Sequence, residues 1–495
     1  MLSKLGLGSS VDNENFSELI SLAPNLVYDH FLTLRVADKY SGLESGVIDE
    51  YLKNQPEEYI FELEEFEKIN NPFLPANRRA FIFLPAYNEN RNLKNLLSQY
   101  LNQENFNGTK LDKSLYEVCV VINYPSTSKT TDADHKNLEE SIQIVKEFQN
   151  YGADNIHFIA KAFPTDLACL GRARKYAMDY SILRISKGTQ AQRKKSILIS
   201  NEGDTLEIPK NYITSYINLF EKHEKHFVQG SIEYPSELKT SFAPLRVFTN
   251  FRESVHFGMS IFDKEFKHYD GILPVGRNFA VNPIIASLVG GIDPIKRKGT
   301  DDDLVFGSNI SIILGNKYKS YHPIPLVTNP RREILIVADL INGGHMDSGK
   351  AYSEFHENMH LYNLTIDEVI AFAKKYIPAK LTADAAPTLL NHYFNWVLRS
   401  TAMEHLSHIP GFKQVFEDFH THKIGYWEKE SAIETLEKSY LQNLPEEKRI
   451  IVEKEIVIDA LNWFNYFTNM QNMKFESTYQ GMDSNLKGCD FHEQV

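Results

Sequence analysis

Two carboxylates stand two residues apart directly after a short apolar segment of the chain. Residues 196–200 (SILIS) have the length and composition of a buried strand, and Glu202-Gly203-Asp204 follows them. In an extended backbone, side chains two residues apart point to the same side. The two carboxylates can therefore share one hard divalent cation, whose other ligands come from water and from diphosphate oxygens. An acidic loop that only caps the next helix is the alternative interpretation.

Three adjacent carboxylates, Asp301, Asp302 and Asp303, form a second acidic group at the entry to an apolar segment. Carboxylates at a helix N-terminus are stabilised by the partial positive charge there, which alone would explain them. If one of them is partly buried, it would be suited to act as a general base for a hydroxyl group. The sequence leaves both interpretations open.

A polar turn follows the apolar residues 80–84 (AFIFL) and opens a helical pattern. Pro85 and Asn88 suit such a turn, and the free N–H groups of a helix start can receive anionic ligand groups. Glu89 can accept hydrogen bonds from a base or a ribose. An ordinary strand-to-helix turn is again the alternative.

Strand-like and helix-like segments alternate along this part of the chain, which predicts an α/β fold. The predicted strands are residues 80–84, 117–122, 156–160 and 196–200, and the predicted helices are residues 92–101, 138–148, 167–185 and 209–223. Such alternation predicts a mainly parallel sheet flanked by helices on both faces. Ligands of these sheets bind beyond the carboxyl ends of the strands, where the acidic and polar turns fall.

The length of 495 residues predicts two or three structural units. We predict an N-terminal helical extension at residues 1–75, the α/β domain at 76–345 and a helical C-terminal domain at 346–495. In the last of these, Thr365 and Glu368 have the spacing of a capping box that opens a helix through Lys375. Further helical patterns cover residues 388–406, 430–442 and 447–470.

The composition limits which partners the protein is expected to bind and in which cellular compartment we expect it. The net charge is -12, whereas proteins that bind nucleic acid non-specifically are usually basic, so we expect no nucleic-acid partner. The three cysteines (Cys119, Cys169 and Cys489) form no CxxC pair, which favours a reducing compartment. No segment has the length of a membrane span, and the first residues lack the apolar core of a signal peptide. We therefore expect a cytoplasmic protein.

Taken in order, these segments resemble the family-2 glycosyltransferases, which have a GT-A fold. The resemblance extends over roughly residues 78–335. The turn Pro85-Ala86-Tyr87-Asn88-Glu89 is similar to their first strand-end motif, and residues 197–205 resemble the strand that leads to their Asp-x-Asp metal motif. The remaining similar segments are residues 171–177, 276–280, 290–293, 301–304 and 330–332.

This resemblance implies metal-dependent transfer of a sugar from a nucleotide-sugar donor to an acceptor hydroxyl. If the base assignment given below is right, the anomeric carbon is inverted, and a retaining enzyme without such a base is the alternative. The acceptor, whether a glycan, a small molecule or a protein, is not identified by the sequence. The implied cofactor is Mn²⁺ or Mg²⁺, with Glu202, Asp204 and His345 as metal ligands. Asp301 is the implied base, and a shift of one residue in the register would make it Asp302.

The resemblance also implies two sets of binding residues. Those implied for the acceptor are Arg277 and Asn278. Those implied for the donor are Pro85, Ala86, Tyr87, Glu89, Asn123, Arg174, Glu202, Arg331 and Arg332.

Three positions depart from the family pattern. Glu202 replaces the first Asp of the metal motif, and Thr300 replaces the Glu that precedes the base. After the second predicted strand, Asn123 begins a segment (NYPS) in place of the usual acidic one. A catalytically inactive GT-A-like scaffold that serves as an interaction module is therefore a second hypothesis.

A third hypothesis comes from His356-Glu357-Asn358-Met359-His360, which satisfies the H-E-x-x-H pattern of zinc metallopeptidases. On a helix, the two histidines would share a face and bind zinc, with Glu357 as the base. The chain lacks a Gly-x-x-His continuation of this motif. Histidines that are solvated or satisfied in the core explain the segment more simply.

Overall fold

The structure is a computed structural model. It describes residues 44–70, 72–125, 132–163, 170–223, 225–242, 276–292, 318–341 and 364–377, together with a few single residues and pairs elsewhere. All structural statements below concern these residues.

The described residues contain one sheet of eight strands. In chain order the strands are β1 (Ala80–Ala86), β2 (Tyr116–Pro125), β3 (Ile156–Phe163), β4 (Ile197–Ser200), β5 (Thr205–Glu207), β6 (Phe227–Glu233), β7 (Phe279–Val281) and β8 (Lys319–Thr328). Their order across the sheet is β3-β2-β1-β4-β7-β6-β8-β5. Four of the seven neighbouring pairs are parallel, and β7 runs antiparallel to both β4 and β6.

Helices follow most of the strands. In chain order they are α1 (Glu44–Lys53), α2 (Glu57–Ile69), α3 (Asn90–Leu101), α4 (Asp132–Asn150), α5 (Leu170–Ser186), α6 (Gln190–Lys195), α7 (Tyr212–Lys222), α8 (Ser236–Ser241), α9 (Pro283–Leu288), α10 (Arg331–Ile341) and α11 (Ile366–Tyr376).

The central strand β1 is buried along its whole length, which explains its continuous apolar sequence. Phe81 and Phe83 point to the face covered by α1, α2, α5 and α9, where they share one hydrophobic core. Ile82 and Leu84 point to the opposite face, which packs against α3 and α7. The arrangement confirms the predicted α/β class, with a mainly parallel sheet between helices.

The described chain falls into two compact units. The first contains the sheet with α1–α7 and α9, and the second contains α8, residues 332–341 and residues 372–377. Ile48, Tyr51 and Leu63 of the predicted N-terminal extension belong to the core beneath the sheet. The domain boundaries given above remain a prediction. Within the described residues, no helix is long and apolar enough to cross a bilayer.

The capping box is present as predicted at the start of α11. The Thr365 backbone N–H donates to Glu368 Oε2 at 2.8 Å, and the Glu368 backbone N–H donates to Thr365 Oγ1 at 3.4 Å. These reciprocal bonds satisfy two of the N–H groups that a helix start leaves without an intrahelical acceptor.

A buried ionic network lies at the amino ends of β2 and β3, away from the polar strand ends. Glu117, at the start of β2, accepts two hydrogen bonds from Arg184 of α5, at 3.1 and 3.0 Å. Arg184 also donates to Glu67 of α2 at 3.0 Å, and His157 of β3 lies 3.4 Å from Glu117. This network joins both helices to the sheet.

Glu117 and His157, at the centre of this network, should make the stability of the protein sensitive to acid. Burial lowers the pKa of His157, and the nearby Glu117 only partly offsets this. Burial alone would raise the pKa of Glu117, but the positive charges of His157, Arg184 and Arg78 around it hold that pKa below its ordinary value. Both groups therefore bind protons more readily in the unfolded chain than in the folded one.

We expect the free energy of unfolding to fall as the pH drops below about 6.5, where an ordinary histidine titrates. The slope should approach about 1.4 kcal/mol per pH unit for one proton taken up on unfolding. Denaturant titrations at pH 7.5 and pH 5 would measure it in the wild type and in His157→Gln. The variant should show a shallower dependence, and equal slopes in the two proteins would refute the assignment to His157.

Candidate active site

The order of the strands reverses between β1 and β4, which makes their carboxyl ends the expected ligand-binding crevice of the sheet. Strand β1 has β2 on one side and β4 on the other, and both neighbours are parallel to it. Beyond these ends, β1 leads into Tyr87, Asn88 and Glu89, and β4 leads into Glu202 and Asp204. The structure thus brings together two of the polar turns that the sequence singled out.

The turn after β4 is held by Asn201, which is fully buried. Its side-chain oxygen accepts from the Glu202 backbone N–H at 2.7 Å and from Thr205 Oγ1 at 2.5 Å. Its amide nitrogen donates to Tyr100 Oη at 2.6 Å. These bonds fix the direction in which the next two carboxylates leave the strand.

Gly203 lets this turn lie directly against the end of β1. Its N–H donates to the Pro85 carbonyl at 3.0 Å. A Cβ at position 203 would lie 3.1 Å from Ala86 Cβ and 3.2 Å from Glu89 Cγ, closer than side chains normally pack. The small residue between the two carboxylates therefore allows the turn after β4 to pack against the turn after β1.

Six charged side chains meet at this point, and we call them the ion cluster. All belong to the first unit, and their side chains are only 5–15% exposed. The three carboxylates are Glu89, Glu202 and Asp204, and the three guanidiniums are Arg174, Arg277 and Arg331. Three negative and three positive groups balance, which is the condition for keeping charges in a poorly hydrated site.

Arg277 stands between the two carboxylates of the predicted metal motif. Its Nη1 lies 3.2 and 3.1 Å from the two carboxylate oxygens of Asp204, and 3.5 Å from Glu202 Oε2. The same nitrogen donates to Thr328 Oγ1 at 2.5 Å. The sequence predicted an acceptor contact for Arg277, whereas the structure places it on the predicted metal ligands.

Glu89 is held by Arg331, the first residue of α10. Arg331 Nη2 lies 2.5 Å from Glu89 Oε1 and 3.8 Å from Asp204 Oδ2, and Asn92 donates to Glu89 Oε2 at 3.0 Å. Burial raises the pKa of Glu89 to about 7, although the charge of Arg331 opposes this shift. Glu89 should therefore take up a proton more readily than an exposed carboxyl group does.

Arg174 of α5 completes the ion cluster by binding Glu202. Its guanidinium lies against Gly276, where any Cβ would overlap it. Gly276 is itself fixed, because its carbonyl accepts from Ser200 Oγ at 2.7 Å. The absence of a side chain at position 276 is what gives Arg174 its place.

We therefore expect Gly276→Ala to displace the Arg174 guanidinium from Glu202 and to weaken the binding of anionic ligands at this site. Gly46→Ala is the matched control, since Gly46 lies in α1, a methyl group there would meet no atom within 4 Å, and alanine favours a helix. Titration of each variant with inorganic pyrophosphate would measure the effect. Unchanged affinity in Gly276→Ala would show that Arg174 does not need this position.

The carboxylates suit a divalent cation by chemistry, since Mg²⁺ is usually bound by one or two carboxylates together with phosphate oxygens. However, Glu202 and Asp204 are both engaged by arginines. In the part of the chain that the structure describes, no three His, Cys, Asp or Glu side chains are grouped to hold a metal ion. These residues therefore fit a cation only if the guanidiniums move and a ligand supplies further oxygens.

Asn278, which the sequence assigns to the acceptor, makes its hydrogen bonds within the fold. Its side chain is fully buried, and its backbone adopts a left-handed conformation with φ of 61°. The side-chain oxygen accepts from the hydroxyls of Tyr212 and Tyr216 at 2.9 and 2.8 Å, and its amide donates to the carbonyls of Ser231 and Ile324. All of its hydrogen-bonding capacity is used within the fold, so the residue holds the segment that carries Arg277.

Four other donor residues predicted from the sequence lie at this edge of the sheet, namely Pro85, Ala86, Tyr87 and Asn123. Pro85 and Ala86 end β1, and Tyr87 follows as a half-buried residue. Asn123 is half-buried near the end of β2, opposite Lys161 of β3. Arg332, also half-buried, lies 3.3 Å from its neighbour Glu333.

Several predicted residues lie outside the described residues. They are Asp301 and Asp302 as bases, His345 as a metal ligand, and His356, Glu357 and His360 of the H-E-x-x-H segment. Their assignments stay predictions.

The pairing of the arginines with the carboxylates could not be foreseen from the sequence. Arg277 and Asp204 are 73 positions apart, and Arg331 and Glu89 are 242 apart. No periodic pattern links residues at such separations. The only signal in the sequence was the family resemblance, which marked Arg174 and Arg331 as basic residues of the donor site.

No family model matches the sequence, and no curated protein matches it. Among solved structures, the chain is similar to S. aureus TarS 1–349 in complex with UDP, with a TM-score of 0.32, 13% identity and coverage of 74% of this chain and 93% of that one. It is also similar to the mannosyltransferase PcManGT from Pyrobaculum calidifontis in complex with GDP-Man and Mn²⁺, with a TM-score of 0.32, 13% identity and coverage of 87% and 97%. At these TM-scores the likenesses carry no argument about function, which has to come from the site.

Proposed function

We propose that this protein is a glycosyltransferase of the family-2 type, which transfers a sugar from a nucleotide-sugar donor to an acceptor hydroxyl. The observation that carries the proposal is the ion cluster at the switch point between β1 and β4. Three guanidiniums at the carboxyl edge of a parallel sheet suit a diphosphate, because arginine binds phosphate oxygens with two parallel hydrogen bonds.

In the proposed reaction the acceptor oxygen attacks the anomeric carbon of the donor sugar as its proton passes to a carboxylate. We propose Asp301 as this base, with Asp302 as its replacement if the register shifts by one residue. The bond between the anomeric carbon and the diphosphate oxygen breaks, and the nucleoside diphosphate leaves with the electron pair. Attack opposite to the leaving group inverts the anomeric centre.

The arginines of the ion cluster would stabilise the charge that develops on the leaving diphosphate. Buried contacts with Thr328 and Glu89 keep Arg277 and Arg331 at this edge of the sheet, close to where that charge would appear. Glu89 and Asn123 are proposed contacts of the nucleoside.

We further propose that the reaction depends on Mn²⁺ or Mg²⁺. Glu202 and Asp204 would hold the ion, with His345 as a third ligand. When bound, such an ion neutralises negative charge on the diphosphate. Support for the proposal is the chemistry of the two carboxylates and their place at the end of β4.

A thermal-shift screen of UDP-sugars and GDP-sugars, each with and without Mn²⁺, would test the proposed function. A donor at a concentration about 100 times its Kd should stabilise the native state by about 2.7 kcal/mol. The same donors should then be hydrolysed slowly by the purified protein. If no nucleotide sugar shifts the melting temperature or is hydrolysed, the proposal is wrong.

Donor binding and turnover, together with metal analysis after dialysis, separate the two other hypotheses. Donor binding without any turnover would favour the inactive scaffold. Stoichiometric zinc that survives dialysis and is lost on changing His356 or His360 would favour the metallopeptidase.

A further inference from the structure

We infer that a diphosphate and the site carboxylates compete for the same three arginines, so that the diphosphate binds first and a divalent cation binds only afterwards. The inference rests on the proposed function, because it assumes that a diphosphate enters this crevice. It adds an order of binding to the proposed site and assigns Arg277 to the anion.

The proposed metal ligands are already engaged by arginines. Glu202 is bound by Arg174 and lies 3.5 Å from Arg277, while Asp204 lies 3.1 Å from Arg277 and 3.8 Å from Arg331. A cation placed on these carboxylates would stand beside guanidiniums in a poorly hydrated site, where like charges repel strongly. The cation alone should therefore bind weakly.

A diphosphate, in contrast, suits the ion cluster as it stands. Its oxygens match the paired N–H groups of a guanidinium at least as well as a carboxylate does. The ion cluster holds three guanidiniums within reach of one another, through their shared contacts with Glu202 and Asp204. A diphosphate can therefore draw the guanidiniums away from the carboxylates without help from a metal.

Charge balance then creates the cation site. Once the guanidiniums turn to the diphosphate, Glu202 and Asp204 are left without their former partners. Together with the diphosphate oxygens they then form an oxygen-rich cation site. By thermodynamic linkage, the factor by which the diphosphate tightens cation binding equals the factor by which the cation tightens diphosphate binding.

Two measurements on the wild-type protein test the order of binding. Mn²⁺ alone, followed by the loss of the free-ion signal in electron paramagnetic resonance, should show no binding at concentrations up to about millimolar, the range of weak sites. Inorganic pyrophosphate alone, followed by calorimetry in the presence of EDTA, should bind. Neither measurement uses a sugar nucleotide or depends on turnover.

Arg277→Met should change the two affinities in opposite directions. Losing one charged hydrogen-bond donor should weaken pyrophosphate at least about tenfold, while Mn²⁺ should bind at least about tenfold more tightly. Circular dichroism should check that each variant folds. Arg174→Met should change the two affinities in the same way, and it replaces Arg277→Met if that variant does not fold. Arg79→Met is the matched control, because Arg79 pairs with Glu221 at the amino end of β1, away from the ion cluster.

Tight binding of Mn²⁺ to the wild type without any anion would overturn the inference, as would failure of pyrophosphate to bind in EDTA. A folded Arg277→Met that binds pyrophosphate more weakly and still shows no binding of Mn²⁺ would also overturn it. These outcomes are distinct from a failure of the proposed function. Pyrophosphate binding with no response to any nucleotide sugar would refute the transferase and leave the order of binding intact.

Discussion

Asp204→Asn should lower sugar transfer by about 10² to 10³, the loss seen when one preorganised electrostatic contact is removed from an active site. The substitution keeps the shape of the side chain and removes its charge. It thereby removes a proposed cation ligand and the main partner of Arg277, which lies 3.1 Å away. Diphosphate binding in EDTA should not fall, because the three guanidiniums then face two carboxylates in place of three.

Donor turnover and pyrophosphate affinity, measured on the same preparation, would separate these effects. Glu207→Gln is the control, since Glu207 ends β5 three residues further on and is exposed. Unchanged turnover in Asp204→Asn would mean that this carboxylate has no part in the chemistry. A parallel loss of pyrophosphate affinity would instead point to a collapse of the ion cluster.

The sequence was most informative where local pattern and structure coincide. Strands β1 to β4 were predicted because short, mainly apolar runs mark them, and strands buried along their whole length, such as β1 and β4, require such runs. Each of the four nevertheless differs from its prediction by one to three residues at one end or both. In β2 and β3, polar residues such as Asn123 and Lys161 continue the pairing past the apolar run.

Strands β5 to β8 were not predicted, and for β5 and β7 the structure shows why. Strands β5 and β7 have only three residues each, too few to show a period. Strand β7 enters antiparallel between β4 and β6, and the segment before it is positioned by Asn278. Nothing local in the sequence signals a strand inserted in this way.

The candidate site could likewise be predicted from the sequence only where local geometry is enough. Glu202 and Asp204 could be predicted from their spacing after a strand, because that inference needs only local geometry. Their pairing with Arg277 and Arg331 could not, because it depends on which strand ends the fold brings together. The same applies to Arg184 and Glu117, two charges that the sequence gives no reason to place in a core.

That buried network carries the largest stability prediction. Arg184 is completely buried, and its guanidinium donates hydrogen bonds to Glu117, Glu67 and the carbonyl of Phe73. Arg184→Met keeps much of the side-chain length but leaves two buried carboxylates without their shared partner. Removing one member of a buried ion pair typically costs about 3–5 kcal/mol, a large part of the roughly 5–15 kcal/mol that stabilises a native protein.

We therefore expect Arg184→Met to be poorly folded at 37 °C, with a strongly lowered denaturation midpoint at lower temperature. Circular dichroism should follow the transition, since all three tryptophans lie at or beyond Trp396 and their fluorescence would report on another part of the chain. Arg79→Met is again the control, because its pair with the half-exposed Glu221 should contribute only about 0.2–1 kcal/mol. If Arg184→Met loses no more stability than this control, the network does not hold α2 and α5 to the sheet. If instead Arg184→Met shows the expected loss, adding Glu117→Gln should recover part of it, because the double variant leaves one fewer buried carboxylate without a cation.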